Sequence, residues 1–186
     1  DVYKRQVLEA FGRISEVAPS PDGTKIIFTL AYEDIQENKA NAEIYSMDAD
    51  GQNMKRLTTT APSESNLQWI ADGTKIAFLR KDDASKKMQI FVMNADGSDV
   101  KRVSDVENGI ECFVISPDGT KIIYGSPVKA FNKDEDLFKD LPLTSGRVVD
   151  DLMYKHWDEW VTTAPHPFVA DFDGNGISCL LYTSDA

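Results

Sequence analysis

Short apolar runs alternate with Asp-Gly pairs along the chain, and the same words return at fixed offsets. SPDGTKIIF begins at Ser20, ADGTKIAFL at Ala71 and SPDGTKIIY at Ser116, so that Asp22-Gly23, Asp72-Gly73 and Asp118-Gly119 stand 50 and 46 residues apart. A second element interleaves: EIYSMDADG from Glu43 and QIFVMNADG from Gln89, whose Asp50-Gly51 and Asp96-Gly97 are again 46 apart. A basic-apolar stretch follows each, KRLT at Lys55 and KRVS at Lys101. In the middle repeat this predicts one strand over Ser65–Ile70, a tight turn at Asp72-Gly73, a second strand from Lys75, the polar loop KDDASKK, a third strand MQIFVMN, a turn at Asp96-Gly97 and a fourth strand VKRVS. Asp-Gly supplies the positive φ that tight hairpin turns require, and Ile, Val and Phe suit a pleated, half-buried surface.

Four antiparallel strands every 40–50 residues is the signature of a β-propeller blade. A β-sandwich could show turns at similar spacing, but it does not need the same words at the same offsets. The expected fold is therefore all-β, a partial propeller of about three four-stranded blades spanning about 14–60, 64–106 and 110–178. In the third blade PFVADFDG from Pro167 aligns with IFVMNADG from Ile90, and the Gly97–Gly174 interval of 77 leaves about 31 extra residues, an insertion over about 128–165. Within it Val148, Val149, Leu152, Met153, His156, Trp157, Trp160 and Val161 recur at helical spacing, with Thr144 or Ser145 placed to cap and Pro165 beyond the end. One inserted amphipathic helix, lying on the propeller, is expected.

Charge narrows the partners. Thirty-one acids against 20 bases give a net charge of −11. Such a chain repels phosphates and anionic lipid, so nucleic acid and membrane are discounted, and no apolar run approaches the length of a spanning helix. The two ends read differently from the middle: residues 1–6 (DVYKRQ) and 179–186 (CLLYTSDA) resemble translated sequencing-adapter sequence and are set aside as non-native ends, leaving 7–178 as the propeller piece. Cys112 is then its only cysteine, and a lone cysteine leaves the redox compartment unread. Three blades do not close a ring, so their open faces are expected to make the piece poorly soluble alone.

SPDG…IIF followed by IYSMDADG resembles the repeat shared by the TolB-type proteins and the prolyl oligopeptidase family of serine peptidases. FGRISEVAPSPDG resembles the lead-in to the first blade of those peptidases. DLPLTSGRVVDDLMYKHWDEWV followed by PHPFVADFDG is similar to an insertion in the dipeptidyl-peptidase V branch, of Bacteroidetes type. The resemblance implies a parent in which an N-terminal propeller gates a C-terminal α/β-hydrolase domain with a Ser-Asp-His triad. That parent would release dipeptides from peptide N-termini, in the periplasm or outside the cell, without a cofactor. No G-x-S-x-G elbow occurs in this sequence, so no catalytic residue carries over and the chain itself is expected to hydrolyse nothing. The alternative is a non-enzymatic, TolB-like periplasmic protein-binding propeller, against which the KHWDEW block argues.

Two groups of residues are candidates for binding chemistry. Asp158 and Glu159 could hold a substrate's α-ammonium group, since a carboxylate in a low-dielectric tunnel fixes how many residues precede the cut. Trp157 and Trp160 could wall a substrate side chain. The competing reading makes these a solvated acidic face and core aromatics. DFDGNG, from Asp171, matches the start of a calcium loop, with Asp171, Asp173 and Asn175 as its oxygen ligands. Its register with Asp48 and Asn94 instead makes it a blade turn, and the twelfth loop position is Tyr182 where a glutamate is needed.

Overall fold

The computed structural model describes residues 11–34, 36–60, 62–129, 140, 155–156, 159–160 and 163–182, with backbone only at 155–156, 159–160 and 178–182. Three four-stranded antiparallel sheets follow one another. The first runs β1 (Arg13–Pro19), β2 (Lys25–Asp34), β3 (Lys39–Asp48), β4 (Lys55–Arg56). The second runs β5 (Glu64–Ile70), β6 (Lys75–Lys81), β7 (Met88–Asn94), β8 (Lys101–Arg102). The third comprises β9 (Cys112–Ile115), β10 (Lys121–Lys129), β13 (Thr163–Phe172) and β14 (Ile177–Tyr182), and a two-stranded ladder of β11 (Lys155–His156) and β12 (Glu159–Trp160) falls between β10 and β13 in sequence. This is the propeller-like, all-β arrangement the repeat predicts. Among the described residues there is no α-helix, and no helix long and apolar enough to cross a membrane.

The repeated words fold alike because each position has the same task. Lys25, Lys75 and Lys121 stand opposite Asp48, Asn94 and Asp171. Three registers on, a stacked aromatic pair recurs in every sheet: Phe28–Tyr45, Phe78–Phe91 and Tyr124–Phe168, with centroids 5.8, 5.9 and 5.4 Å apart. At the first turn of sheets one and three, Gly23 and Gly119 take φ near +70°. Asp22 and Asp118 hold these turns: each accepts from the preceding serine hydroxyl and from the N–H and hydroxyl of the following threonine. Those bonds, the serine's first, hold both carboxyls below the usual range.

The sheets pack face to face through their alternating apolar positions. Ile27 and Ile44 of the first sheet meet Trp69, Ile76, Phe78, Phe91 and Met93 of the second. The opposite face of the second sheet, with Ala77, Leu79, Ile90 and Val92, meets Phe113, Ile115, Ile122, Tyr124, Ala170 and Phe172 of the third.

The inserted helix expected over 128–165 is not supported: the described residues of that stretch include strands and no helix. Val128 and Lys129 complete β10, and Thr163, Ala164 and Pro165 begin β13; the two strands pair without a break from Lys121↔Asp171 to Lys129↔Thr163. Farther into the insertion, Lys155 pairs with Trp160 and His156 with Glu159. A helix would set His156 and Trp160 one turn apart on one face, whereas here they belong to opposing strands. At the described positions the helical spacing rests on His156 and Trp160, which are indifferent helix formers, and a local hairpin satisfies the N–H and C=O groups there directly. The other positions of that expected helix, 148–154, 157, 158 and 161, lie outside the described residues.

Strand β14 extends the third sheet beyond Ser178. Its backbone pairs with β13 from Phe172↔Ile177 to Phe168↔Tyr182, so Cys179–Tyr182, set apart in the sequence as part of a foreign end, form the outer strand of the third sheet.

Candidate functional site

The first strands of the three sheets, β1, β5 and β9, lie side by side, and each is a sheet edge with unpaired backbone groups. Side chains from the preceding sheet satisfy them. The Glu16 carboxylate accepts from Asn66 N and Leu67 N, both at 2.9 Å. The Asn66 amide donates to Phe113 O at 2.9 Å and accepts from Phe113 N at 3.0 Å. Gln68 does the same at Ile115, donating to its O at 2.8 Å and accepting from its N at 2.9 Å. Trp69 Nε1 donates back to Ala18 O at 3.0 Å. Asn66 sits at a bulge with φ +56°, which turns its amide sideways toward the next sheet. These bridges fix how neighbouring sheets sit around the inner edge. The sequence reading missed them, because Glu16, Asn66 and Cys112 share one blade position at the 50 and 46 offsets of the Asp-Gly turns but are three different residue types.

A buried polar cluster closes the junction of sheets one and two at the end away from those turns. Glu64 is 2% exposed. Its Oε2 accepts from Thr58 Oγ1 at 2.7 Å, Thr60 Oγ1 bonds Oε1, and Thr58 Oγ1 accepts from Ile44 N at 2.9 Å. Buried Glu43 pairs with Arg56. Arg80, opposite Glu64 in the ladder, lies 4.1 Å over the Phe91 ring. At the next junction the work of Glu43 and Thr58 is done by neutral groups, with Gln89 accepting from Ser104 Oγ at 2.6 Å and from Val106 N at 3.1 Å.

Burial pushes the Glu64 carboxyl above the ordinary glutamate range, against the pull of the Thr60 and Thr58 hydroxyls and of Arg80. The folded chain therefore keeps a proton that the unfolded chain releases at about pH 4.3. The resulting stabilisation is full below that pH and is lost as pH rises through the raised value. Glu64→Gln should remove this dependence. Urea unfolding from pH 4 to 7 is expected to show the wild-type chain losing stability relative to the variant as pH rises; a constant difference would contradict it.

The residues proposed from sequence fall in two places. Glu159 and Trp160 form β12, while Trp157 and Asp158 lie outside the described residues. The insertion leaves from the end of β10, the end at which the loops of 34–39 and 82–87 join the second and third strands of the other two sheets. Asp171, Asp173 and Asn175 occupy the turn after β13. Asp171 pairs with Lys121. Asp173 Oδ1 accepts from Asn175 N at 2.8 Å and Gly176 N at 2.9 Å, and these two bonds hold its carboxyl below the usual range. Phe172 N donates to Thr120 O as Ala49 and Ala95 donate to Thr24 and Thr74, so this is a blade turn with its carboxylates already engaged. Among the described residues no three of His, Cys, Asp or Glu gather as a metal site would need.

Residues 3–156 match the family model described as the TolB beta propeller domain. The chain belongs to that family. Two curated proteins named dipeptidyl-peptidase 5 are similar to this TolB-type propeller over 89% of its length. They come from Porphyromonas gingivalis, 42% identical over 166 residues, and Porphyromonas endodontalis, 38% over 165. The chain spans 24% of the length of each. The acylaminoacyl peptidase of Pyrococcus horikoshii resembles it in fold, with TM-score 0.67 and 17% identity over 96% of this chain and 26% of that one. A putative TolB from Agrobacterium tumefaciens superposes with TM-score 0.55 and 24% identity over 94% of this chain and 51% of that one.

Proposed function

We propose that this chain is the substrate-gating propeller of a serine exopeptidase that removes dipeptides from peptide N-termini, working with a C-terminal α/β-hydrolase domain that carries the Ser-Asp-His triad. The observation that carries this reading is the 42% identity to dipeptidyl-peptidase 5 over nearly the whole chain. Likeness to the TolB structure is weaker, at 24% identity. The physical role is steric and electrostatic. In the longer parent further blades close the ring, and inner edges locked as Glu16, Asn66 and Gln68 lock these three sheets leave a passage of fixed width, which admits extended peptides and excludes folded ones. The assignment to periplasm or exterior rests on the same relatives.

In this proposal Asp158 and Glu159 hold the substrate's α-ammonium group, and Trp157 and Trp160 form the wall beside its side chain. The peptidase-length protein carrying Glu159→Gln is expected to show KM for dipeptidyl substrates raised at least tenfold, with kcat changed less than threefold, because a binding charge is lost and the chemistry is untouched. Substrates with a blocked N-terminus should be indifferent to the change. An unaltered KM would remove Glu159 from the site. Absence of dipeptide release from the wild-type protein would remove the peptidase reading and leave a binding propeller.

A further inference from the structure

We propose that the cavity between the second and third sheets, at the end of the Asp-Gly turns, binds a small organic carboxylate: a single negative charge on a short apolar body. The cavity has a volume of about 250 Å³. That is close to the lower end of the range of about 300–1,000 Å³ for small-molecule sites. Both of its walls belong to this chain, the second sheet on one side and the turn at Gly174 and Asn175 on the other.

The equivalent junction between sheets one and two is closed. There the turn at Gly97 sits down on the chain that follows β4: a Cβ at Gly97 would lie 2.9 Å from Leu57 O, and Lys55 Nζ donates to Asp96 O at 2.8 Å. By the repeat offsets the counterparts at the second junction are Gly174, Val103, Lys101 and Asp173. A Cβ at Gly174 would meet nothing within 4 Å, and Lys101 turns instead to Asp99, at 2.8 Å. The pairing of β13 with β14 carries a bulge between Ala170 and Asp171, just before this turn. Contact resumes where Ile177 N donates to Val103 O at 3.2 Å, which closes the cavity on that side.

Charge selects the occupant. Lys25 and Lys121 stand opposite Asp48 and Asp171 in their ladders, and Lys121 pairs with its aspartate. Lys75, at the same position of the second sheet, stands opposite the neutral Asn94. It is half-buried, lines the cavity and has no ion pair among the described residues. The other cations of the lining are matched: Lys101 by Asp99, and Arg102 by Asp82 and Asp105 at 3.2 and 3.4 Å. Asp173, beside the turn, engages its carboxylate with Asn175 N and Gly176 N. One cation is left over in a partly desolvated site, and one negative charge matches it. Val92, on the same face of the ladder as Lys75, and Val103 give the ligand's body an apolar surface that a small inorganic anion does not use.

This goes beyond the peptidase reading and is scored without any activity. The test is an NMR titration of the isotope-labelled 186-residue chain with N-acetylleucine. The amide signals of Val103, Gly174 and Asn175 are expected to shift together and saturate with Kd about 1 mM, the range for so small a ligand. N-acetylleucine amide, the same body without the charge, should bind at least tenfold more weakly, the loss of one contact to a charged group. Lys75→Gln should weaken binding by the same factor. Asn94→Asp should abolish it, because it gives Lys75 the carboxylate that its counterparts face; both variants should keep the melting midpoint, since aspartate already serves at that position in the other two sheets. A tripeptide ending in leucine that binds more tightly than N-acetylleucine would identify a peptide C-terminus as the source of the carboxylate, and weaker binding a free acid; either supports the site. No saturable shift at about 20 mM, where a site of this affinity is filled, would overturn the proposal. Equal binding of the amide, tighter binding of inorganic phosphate, or undiminished affinity in both variants would overturn it too.

Discussion

Phe78→Ala is expected to cost about 3–5 kcal/mol of folding stability, the range for deleting a fully buried aromatic ring. Phe78 is 0% exposed, stacks on Phe91 and supports the Arg80 guanidinium, and it belongs to the cluster that joins the first two sheets. Its removal leaves a cavity at that junction, which the paired strands around it cannot collapse to fill. Urea unfolding followed by tryptophan fluorescence reads the change, because Trp69 lies in the same cluster. A loss below about 1 kcal/mol would mean that the sheets do not pack through this face. Phe78→Leu should recover most of the loss, since it keeps most of the apolar volume.

The second large effect is expected at Asn66. Asn66→Ala deletes both amide bonds to Phe113, leaving an N–H and a C=O at the inner edge without their partners, and places a Cβ-bearing residue without a polar side chain at φ +56°. Together these are expected to cost about 2–4 kcal/mol. Asn66→Gly separates the two contributions, because glycine tolerates the left-handed backbone while still losing both bonds. It should fall between the wild type and the alanine variant. Hydrogen exchange at the Phe113 amide provides the local readout: protection is expected to fall in both variants. Unchanged protection would show that the bridge does not hold the two sheets together.

What the sequence disclosed depended on whether a position repeats. The turns at Asp22-Gly23 and Asp118-Gly119, the apolar strands that follow them and the pairing of Phe168–Asp171 with Lys121–Tyr124 were all readable, because the same local chemistry performs the same task in each repeat. The insertion was misread because it occurs once. With no second copy to compare, the period of Trp157, Trp160 and His156 was the only guide, and it cannot register that Lys155–His156 finds a partner strand in Glu159–Trp160. The bridges of Glu16, Asn66 and Gln68 went unseen for another reason. In sequence they are merely polar residues of strands, and their role comes from a bulge and from a neighbouring sheet some 50 residues away. Glu64 likewise resembles a surface acid at the start of β5 until the Thr58 and Thr60 hydroxyls close over it. Asp171, Asp173 and Asn175 show the reverse case: a motif suggestive of calcium became a turn once its register with Asp48 and Asn94 was considered.

The functional account stands or falls on what the gene encodes around these three sheets. The measurement that addresses it most directly is to read the source DNA beyond the codon for Ser178 and to assay the protein it encodes for dipeptide release. The account predicts a frame that continues through more Ser-Pro-Asp-Gly repeats into a G-x-S-x-G elbow, followed by the aspartate and histidine of a triad, and a product that frees dipeptides from unblocked peptide N-termini. A frame that closes after further repeats with no hydrolase domain, or a complete protein that releases no dipeptides, would contradict it and leave a TolB-like binding propeller in its place.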